Sequence, residues 1–208
     1  MKFESEVLPD EKGIIGSGIL PPDKNTCYFA RSRMRVRMND LTSLFKVIVE
    51  KHKENDLIES LKIIEPKLKN LTVLPVGNIP VLHGDIDGKI NPLPFLGEGL
   101  ARMSEIMIGV MSVQPGFLLV DELENEFHHS ILAKVWESIN FVSKANNCQV
   151  FITTHSWECV LAALKVFEVD KQDLMYYRLD KDDNDNIQAH CFKYDLLKTA
   201  VESEMEVR

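Results

Sequence analysis

Residues Gly116 to Ser130 read GFLLVDELENEFHHS. Four apolar residues, Phe117 to Val120, run directly into Asp121 and Glu122. A short unbroken apolar run closed by carboxylates predicts a buried parallel strand with acids at its C-terminal end. That end is where open α/β sheets place their ligands. Adjacent carboxylates suit phosphoryl chemistry, because one can hold Mg²⁺ while the next orients a water. The same pattern also fits a strand that ends in a solvated turn. A second apolar run, from Cys148, stops at Thr153, Thr154, His155 and Ser156. Upstream, Gly97-Glu98-Gly99 opens a helical pattern, where backbone N–H groups are free to meet an anion. Arg31, Arg33, Arg35 and Arg37 alternate with other residues, so an extended chain sets four guanidiniums on one face. Such a face suits a phosphate or partner contact as well as plain solvation. The DKDDNDN stretch offers Asp180, Asp182 and Asn184 as oxygen donors, but Asp185 stands at the glycine position of an EF-hand loop and Cys191 at its glutamate position. It reads as a polar turn.

The elements that must carry these groups follow from periodicity. Leu41, Leu44, Phe45, Ile48 and Val49 predict a helix over 40–53, and Leu57, Ile58, Leu61 and Ile64 a shorter one ended by Pro66. Leu71–Val76 and Pro80–His83 read as short strands joined near Gly77-Asn78, with a hairpin signal at Asp87-Gly88. Leu100, Met103, Met107, Val110 and Met111 mark the helix after the glycine pair, and Ile131, Val135, Ile139 and Val142 one over 129–145. Trp157–Phe167 is again helical, followed by a hairpin of Leu174–Leu179 with Ile187–Phe192. At the N-terminus, Phe3–Leu8 reads as a strand, Gly13, Gly16, Gly18, Pro21 and Pro22 mark loops, and Cys27–Ala30 reads as a short strand. Asp121 lies 22 residues after Gly99 and His155 lies 34 after Asp121. Each interval suits a helix plus a strand, so the two apolar strands should be parallel and bring Asp121, Glu122 and His155 to one sheet edge.

Composition bounds the function. The 208 residues are 45% hydrophobic, enough for one globular core. With 24 basic and 32 acidic residues the net charge is −8, which leaves no general basic footprint for nucleic acid. Cys27, Cys148, Cys159 and Cys191 form no CxxC pair and read as reduced, mostly buried thiols. No apolar signal region follows Met1, and no apolar run nears the roughly 18 residues that span a bilayer. A cytoplasmic address without membrane contact is expected. No G-x-x-x-x-G-K-[ST] phosphate loop occurs: in GIIGSGIL, Gly18 is followed by Ile19.

Three stretches, LGEGLAR, GFLLVDELENEFHHS and VFITTHSWE, resemble the signature, the Walker B strand with its D-loop, and the switch-histidine segment of ABC-type ATPase heads. The likeness covers roughly residues 25–195 and lies in the branch with SMC, RecF and OLD proteins. Within it the chain is most similar to the stand-alone bacterial AAA-type ATPases grouped as AAA15. The resemblance implies an α/β fold: the C-terminal half of a three-layer P-loop NTPase, ABC ATPase head-like, with a mostly parallel sheet and a small α+β insertion. It divides the chain into an N-terminal strand or irregular segment (1–30), a helical and β-hairpin insertion (31–95), the C-terminal half of the ATPase core (96–195) and a charged tail (196–208). It implies ATP and Mg²⁺ as ligands. Asp121 would hold Mg²⁺, Glu122 would polarise the attacking water, and His155 would sense the γ-phosphate. Gly97, Glu98 and Gly99 would face the γ-phosphate of an ATP held by an opposite subunit, with Asn125 and His128 in a D-loop at a dimer interface. The implied partner is a second copy or a P-loop-bearing chain, and DNA-linked or phage-defence partners occur in the branch.

The chain departs from that pattern in lacking the P-loop, in carrying NPLPFL before the glycines where signatures have a serine, and in having Glu126 where the family carries glycine. Without a P-loop, which supplies most phosphate contacts, the isolated chain is not expected to hydrolyse ATP. Two other readings stand beside this one. One is a non-catalytic dimerisation or regulatory module on the same fold. The other is a metal hydrolase built on Asp121, Glu122, His128, His129 and His155, although no HExxH spacing is present.

Overall fold

The structure, a computed structural model, describes residues 6–10, 13–17, 26–32, 38–182 and 185–203. The chain opens with β1 (Glu6–Asp10) and β2 (Gly13–Ser17), an antiparallel pair, so Gly13 and Gly16 lie in a strand where loops were expected. The rest of the expected N-terminal strand, residues 3–5, and Gly18, Pro21, Pro22, Arg33, Arg35 and Arg37 lie outside the described residues. Next come β3 (Thr26–Ala30), α1 (Met38–Glu50) and α2 (Glu54–Leu61). Strands β4 (Leu68–Val76), β5 (Ile79–Ile86) and β6 (Lys89–Pro92) then form an antiparallel sheet. Asp87 and Gly88 turn β5 into β6 with φ of +53° and +82°, the primed geometry that the Asp-Gly pair predicts.

Helix α3 (Glu98–Ser112) leads to β7 (Gly116–Val120), α4 (Leu132–Ala145), β8 (Cys148–Ile152) and α5 (Trp157–Val166). The chain closes with the hairpin β9 (Met175–Lys181) and β10 (Ile187–Lys193), and with α6 (Tyr194–Glu202). The tail expected from 196 therefore begins inside a helix. Leu197 and Ala200 are buried, and Tyr194 donates from its hydroxyl to the Leu164 carbonyl. Of the four thiols only Cys148 and Cys159 are buried, because Cys27 and Cys191 fall on outward faces of their strands.

The fold is a three-layer α/β arrangement with a mostly parallel central sheet. Its central sheet has the order β3-β7-β8, all parallel, with Val120 opposite both Ala30 and Ile152. Helices fill the space between this sheet and the antiparallel β4-β5-β6 sheet: α3 packs on β3 and β7, and α1 packs on both α3 and β5. Helix α3 is buried nearly all round: Leu100, Met103, Ile106, Met107, Ile108, Val110 and Met111 are buried, and so are Arg102, Ser104 and Glu105. A helix without a solvent-exposed face belongs in the middle of a core, and each buried apolar side chain contributes about 1.5–3 kcal/mol. Among the described residues no helix is long and apolar enough to cross a membrane.

Alternation in β3, β7 and β8 divides the parallel sheet into two unlike faces. Ala30, Leu118, Val120 and Cys148 point into the helical layer and are buried. On the opposite face, Phe29 is 47% and Phe151 is 51% exposed, and the Phe151 ring sits 6.2 Å from that of Phe117. An aromatic face of this kind, on a sheet whose edge strands β3 and β8 pair with no further strand among the described residues, favours association. The isolated chain is expected to self-associate at high concentration; a monodisperse monomer in light scattering would contradict this.

Candidate functional site

The backbone ladders of the parallel sheet continue one step past the strands. Asp121 N donates to Ala30 O at 2.9 Å, and Thr153 N donates to Val120 O at 2.9 Å. Those two bonds place Asp121 and Thr153 side by side at the C-terminal ends of β7 and β8. The Thr153 hydroxyl donates to Asp121 Oδ1 and the Ser32 hydroxyl, just past β3, donates to Oδ2, each at 2.9 Å. These bonds from Thr153 and then Ser32 hold the Asp121 carboxyl below the usual carboxylate range.

Glu122 follows with φ of +48°, a conformation that costs an L-residue energy. Its amide donates to the Thr153 hydroxyl oxygen at 2.9 Å. Its carboxylate turns back: Oε2 accepts from Asn125 Nδ2 at 2.6 Å, and Oε1 lies 3.9 Å from His155 Nε2. The His155 imidazole is 86% exposed. Its backbone is fixed by Glu124, which accepts from the His155 amide at 2.7 Å and from the Thr154 hydroxyl at 2.6 Å. Ser156 caps α5 by accepting from the Cys159 amide.

Below this edge lies a buried polar network. Arg102, on α3, donates from Nη1 to Arg31 O at 2.9 Å and from Nη2 to Asp121 O at 2.8 Å. It also pairs with Glu105 at 2.9 Å, the two side chains being 3% and 7% exposed. Tyr28 donates to the other Glu105 oxygen at 3.4 Å. Burial pushes the Glu105 carboxyl up, opposed by the Arg102 charge, and burial and then Glu105 push the Tyr28 phenol up. Arg102 Nε is buried without a hydrogen-bond partner among the described residues.

The two glycines of the turn before α3 differ. Gly97 has φ of +120° with open space where a Cβ would stand, so its backbone requires glycine. A Cβ on Gly99 would come within 3.1 Å of the Glu126 carbonyl and 3.6 Å of the Phe127 ring. Gly99 thus lets α3 approach the segment after Glu122 within the same chain. Glu98 is an exposed first-turn acid. His128 is exposed, its Nδ1 within 3.3 Å of the Ser130 amide, and its ring lies 4.1 Å from that of His129.

Glu126 sits at φ of +70°. A glycine there removes the left-handed penalty, so Glu126→Gly should raise stability by about 1 kcal/mol. A urea midpoint that stays put or falls would contradict it.

The structure therefore brings Asp121, Glu122, Asn125 and His155 to one edge, with Gly99 packed behind them. Arg102, Ser32 and Glu124 gave no sign of a role in the sequence, and Thr153 marked only the end of an apolar run, because their roles depend on which strand ends meet. The donor set fits Mg²⁺, which takes one or two carboxylates and fills its remaining positions with water and phosphate. The described residues contain no group of three or more His, Cys, Asp and Glu side chains placed to share an ion, so the metal-hydrolase reading gains no ligand set.

Comparison with known proteins agrees with this architecture. An SMC ATPase, solved in work on ATP-driven dimerization and DNA-stimulated activation, superposes with a TM-score of 0.51 at 11% identity, over 81% of this chain and 97% of that one. An Smc head bound to the C-winged helix domain of ScpA gives 0.52 at 11% identity, over 79% of this chain and 53% of that one. At such identities the likeness is one of fold. An "ATP/GTP phosphatase" of Helicobacter pylori is 26% identical over 123 residues, which is 58% of this chain and 33% of the relative. The chain thus spans about a third of the length of that curated relative. A family model described as "AAA domain, putative AbiEii toxin, Type IV TA system" matches residues 8–160, and the chain belongs to that family of AAA domains.

Proposed function

We propose that this chain is the catalytic C-terminal half of an ATP-hydrolysing ABC-type head, of the AAA15 grouping, completed by a P-loop supplied from elsewhere. The observation that carries the reading is the meeting of Asp121, Glu122 and His155 at the C-terminal ends of two adjacent parallel strands, with Glu122 Oε1 3.9 Å from His155 Nε2. Asp121, held ionised by Thr153 and Ser32, would hold Mg²⁺. When bound there, the ion would supply Lewis-acid charge to the phosphate oxygens. Glu122 takes the proton of the attacking water as the terminal phosphoryl group leaves ADP and becomes inorganic phosphate. His155, exposed beside it, meets that phosphoryl group. Gly97, Glu98 and Gly99, with Asn125 and His128, face the nucleotide of a second subunit, so that two copies close over two ATP molecules. Such an assembly works in the cytoplasm, where the four free cysteines stay reduced.

Phosphate release by the chain alone and with a P-loop-bearing partner chain tests this. Release only in the mixture, lost on His155→Ala with Mg²⁺–ATP binding kept, is the expected result. Release by the mixture that ignores His155→Ala would remove the histidine from the mechanism, and no release under any pairing would overturn the reading.

A further inference from the structure

The Asp121–Glu122 peptide group is gripped at both ends. Its carbonyl accepts from Arg102 Nη2 at 2.8 Å, and its N–H donates to the Thr153 hydroxyl at 2.9 Å. The residue after the grip, Glu122, has φ of +48°, where L-residues persist only if their surroundings dictate it. The two side chains come from different elements. Arg102 reaches up from the buried face of α3, and the same guanidinium holds the Arg31 carbonyl at the end of β3. Thr153 follows β8 and also donates to Asp121. Rotation of this peptide group by either route breaks a bond to a buried charge or to a hydroxyl shared with Asp121.

We propose that Arg102 and Thr153 are positioning residues for Glu122: by holding opposite ends of one peptide group they impose the left-handed backbone that turns the Glu122 carboxylate back toward Asn125 and His155. The catalytic meaning of that orientation rests on Glu122 being the general base; the backbone effect does not. Arg102 and Thr153 make no contact with the Glu122 carboxylate in this scheme and act only through the main chain.

The test is a stability cycle on the full chain, without nucleotide. Glu122→Gly and Glu122→Ala both lose the carboxylate, so their ratio of folding constants reports the backbone alone. In the otherwise native chain, glycine should be favoured over alanine by about tenfold, the left-handed penalty. In Thr153→Val and in Arg102→Lys backgrounds the peptide can relax, and alanine should then be favoured by about two- to fivefold, as at ordinary φ. Thr153 is exposed, so the valine variant tests the claim even if the Arg102 variant does not fold. A purely structural contribution would shift both members of each pair equally and leave the ratio unchanged. An unchanged glycine preference in the Thr153→Val chain overturns the proposal, as does an alanine preference in the native background. Reversal with Arg102→Lys alone would likewise overturn the joint grip and leave the hold to one residue. Turnover of a P-loop-completed assembly is a separate measurement: if the ratio reverses while Glu122→Gln leaves turnover intact, the positioning stands and the base assignment falls.

Discussion

Arg102→Met should lower stability by about 3–5 kcal/mol, because it strands a buried carboxylate without its partner. Glu105 is 7% exposed and already pushed up by burial, and Arg102 is the charge that offsets this. The methionine also removes the two donors that tie Arg31 and Asp121 to α3. A domain of this size has only about 5–15 kcal/mol to lose. The double variant Arg102→Met, Glu105→Met should recover much of the loss, since a buried pair replaced by apolar residues of similar volume is often neutral. Urea denaturation of the native chain, the single and the double variant reads this directly. Equal losses in single and double variants would show that the tie between strand ends, rather than the stranded charge, dominates. The pH dependence has a defined sign. Glu105 is raised by burial, so its contribution is present below the unfolded carboxylate range and is lost as pH rises from there through its raised folded value. Asp121 is lowered by Thr153 and Ser32, so its contribution is present above the unfolded carboxylate range and is lost as pH falls through its folded value.

Glu122→Gln should cut ATP turnover by about 10²–10⁴ in an assembly completed by a P-loop, the usual contribution of a positioned general base. Glutamine keeps the shape of the side chain and leaves Asp121 with its Thr153 and Ser32 bonds, so ATP binding should survive. Closed dimers should then accumulate in ATP, since hydrolysis is the step that reopens them in this scheme. Size-exclusion chromatography with and without ATP separates that outcome from a simple loss of binding.

The parts of the fold legible in the sequence are those set by local pattern. Apolar runs closed by Asp121 and by Thr153 marked β7 and β8, and helical spacing of Leu41, Phe45 and Ile48 marked α1. Asp87-Gly88 marked its hairpin because left-handed turn residues are few. The parallel pairing of β7 and β8 followed from the length of chain between them. The supports of the site were not legible, because they depend on tertiary placement. Arg102 stood in the sequence only as the last residue of LGEGLAR, and its reach to two strand ends needs α3 laid across β3 and β7. Glu124 gave no signal, since its partners are a hydroxyl and an amide 30 and 31 residues away. Helix α6 was hidden by its charged surface, with Tyr194, Leu197 and Ala200 forming the narrow buried stripe. Glu126 was conspicuous by type, and its φ of +70° gives the physical reason.

The measurement closest to the central claim is the Mg²⁺ dependence of phosphate release by the P-loop-completed assembly, compared among the native chain, Asp121→Asn and Glu122→Gln. Asp121→Asn should shift the Mg²⁺ requirement upward, whereas Glu122→Gln should leave that requirement in place and lower the plateau by about 10²–10⁴. Full turnover with Glu122→Gln, at an unchanged Mg²⁺ requirement in both variants, would contradict that claim and reduce the acid pair to the polar end of a strand.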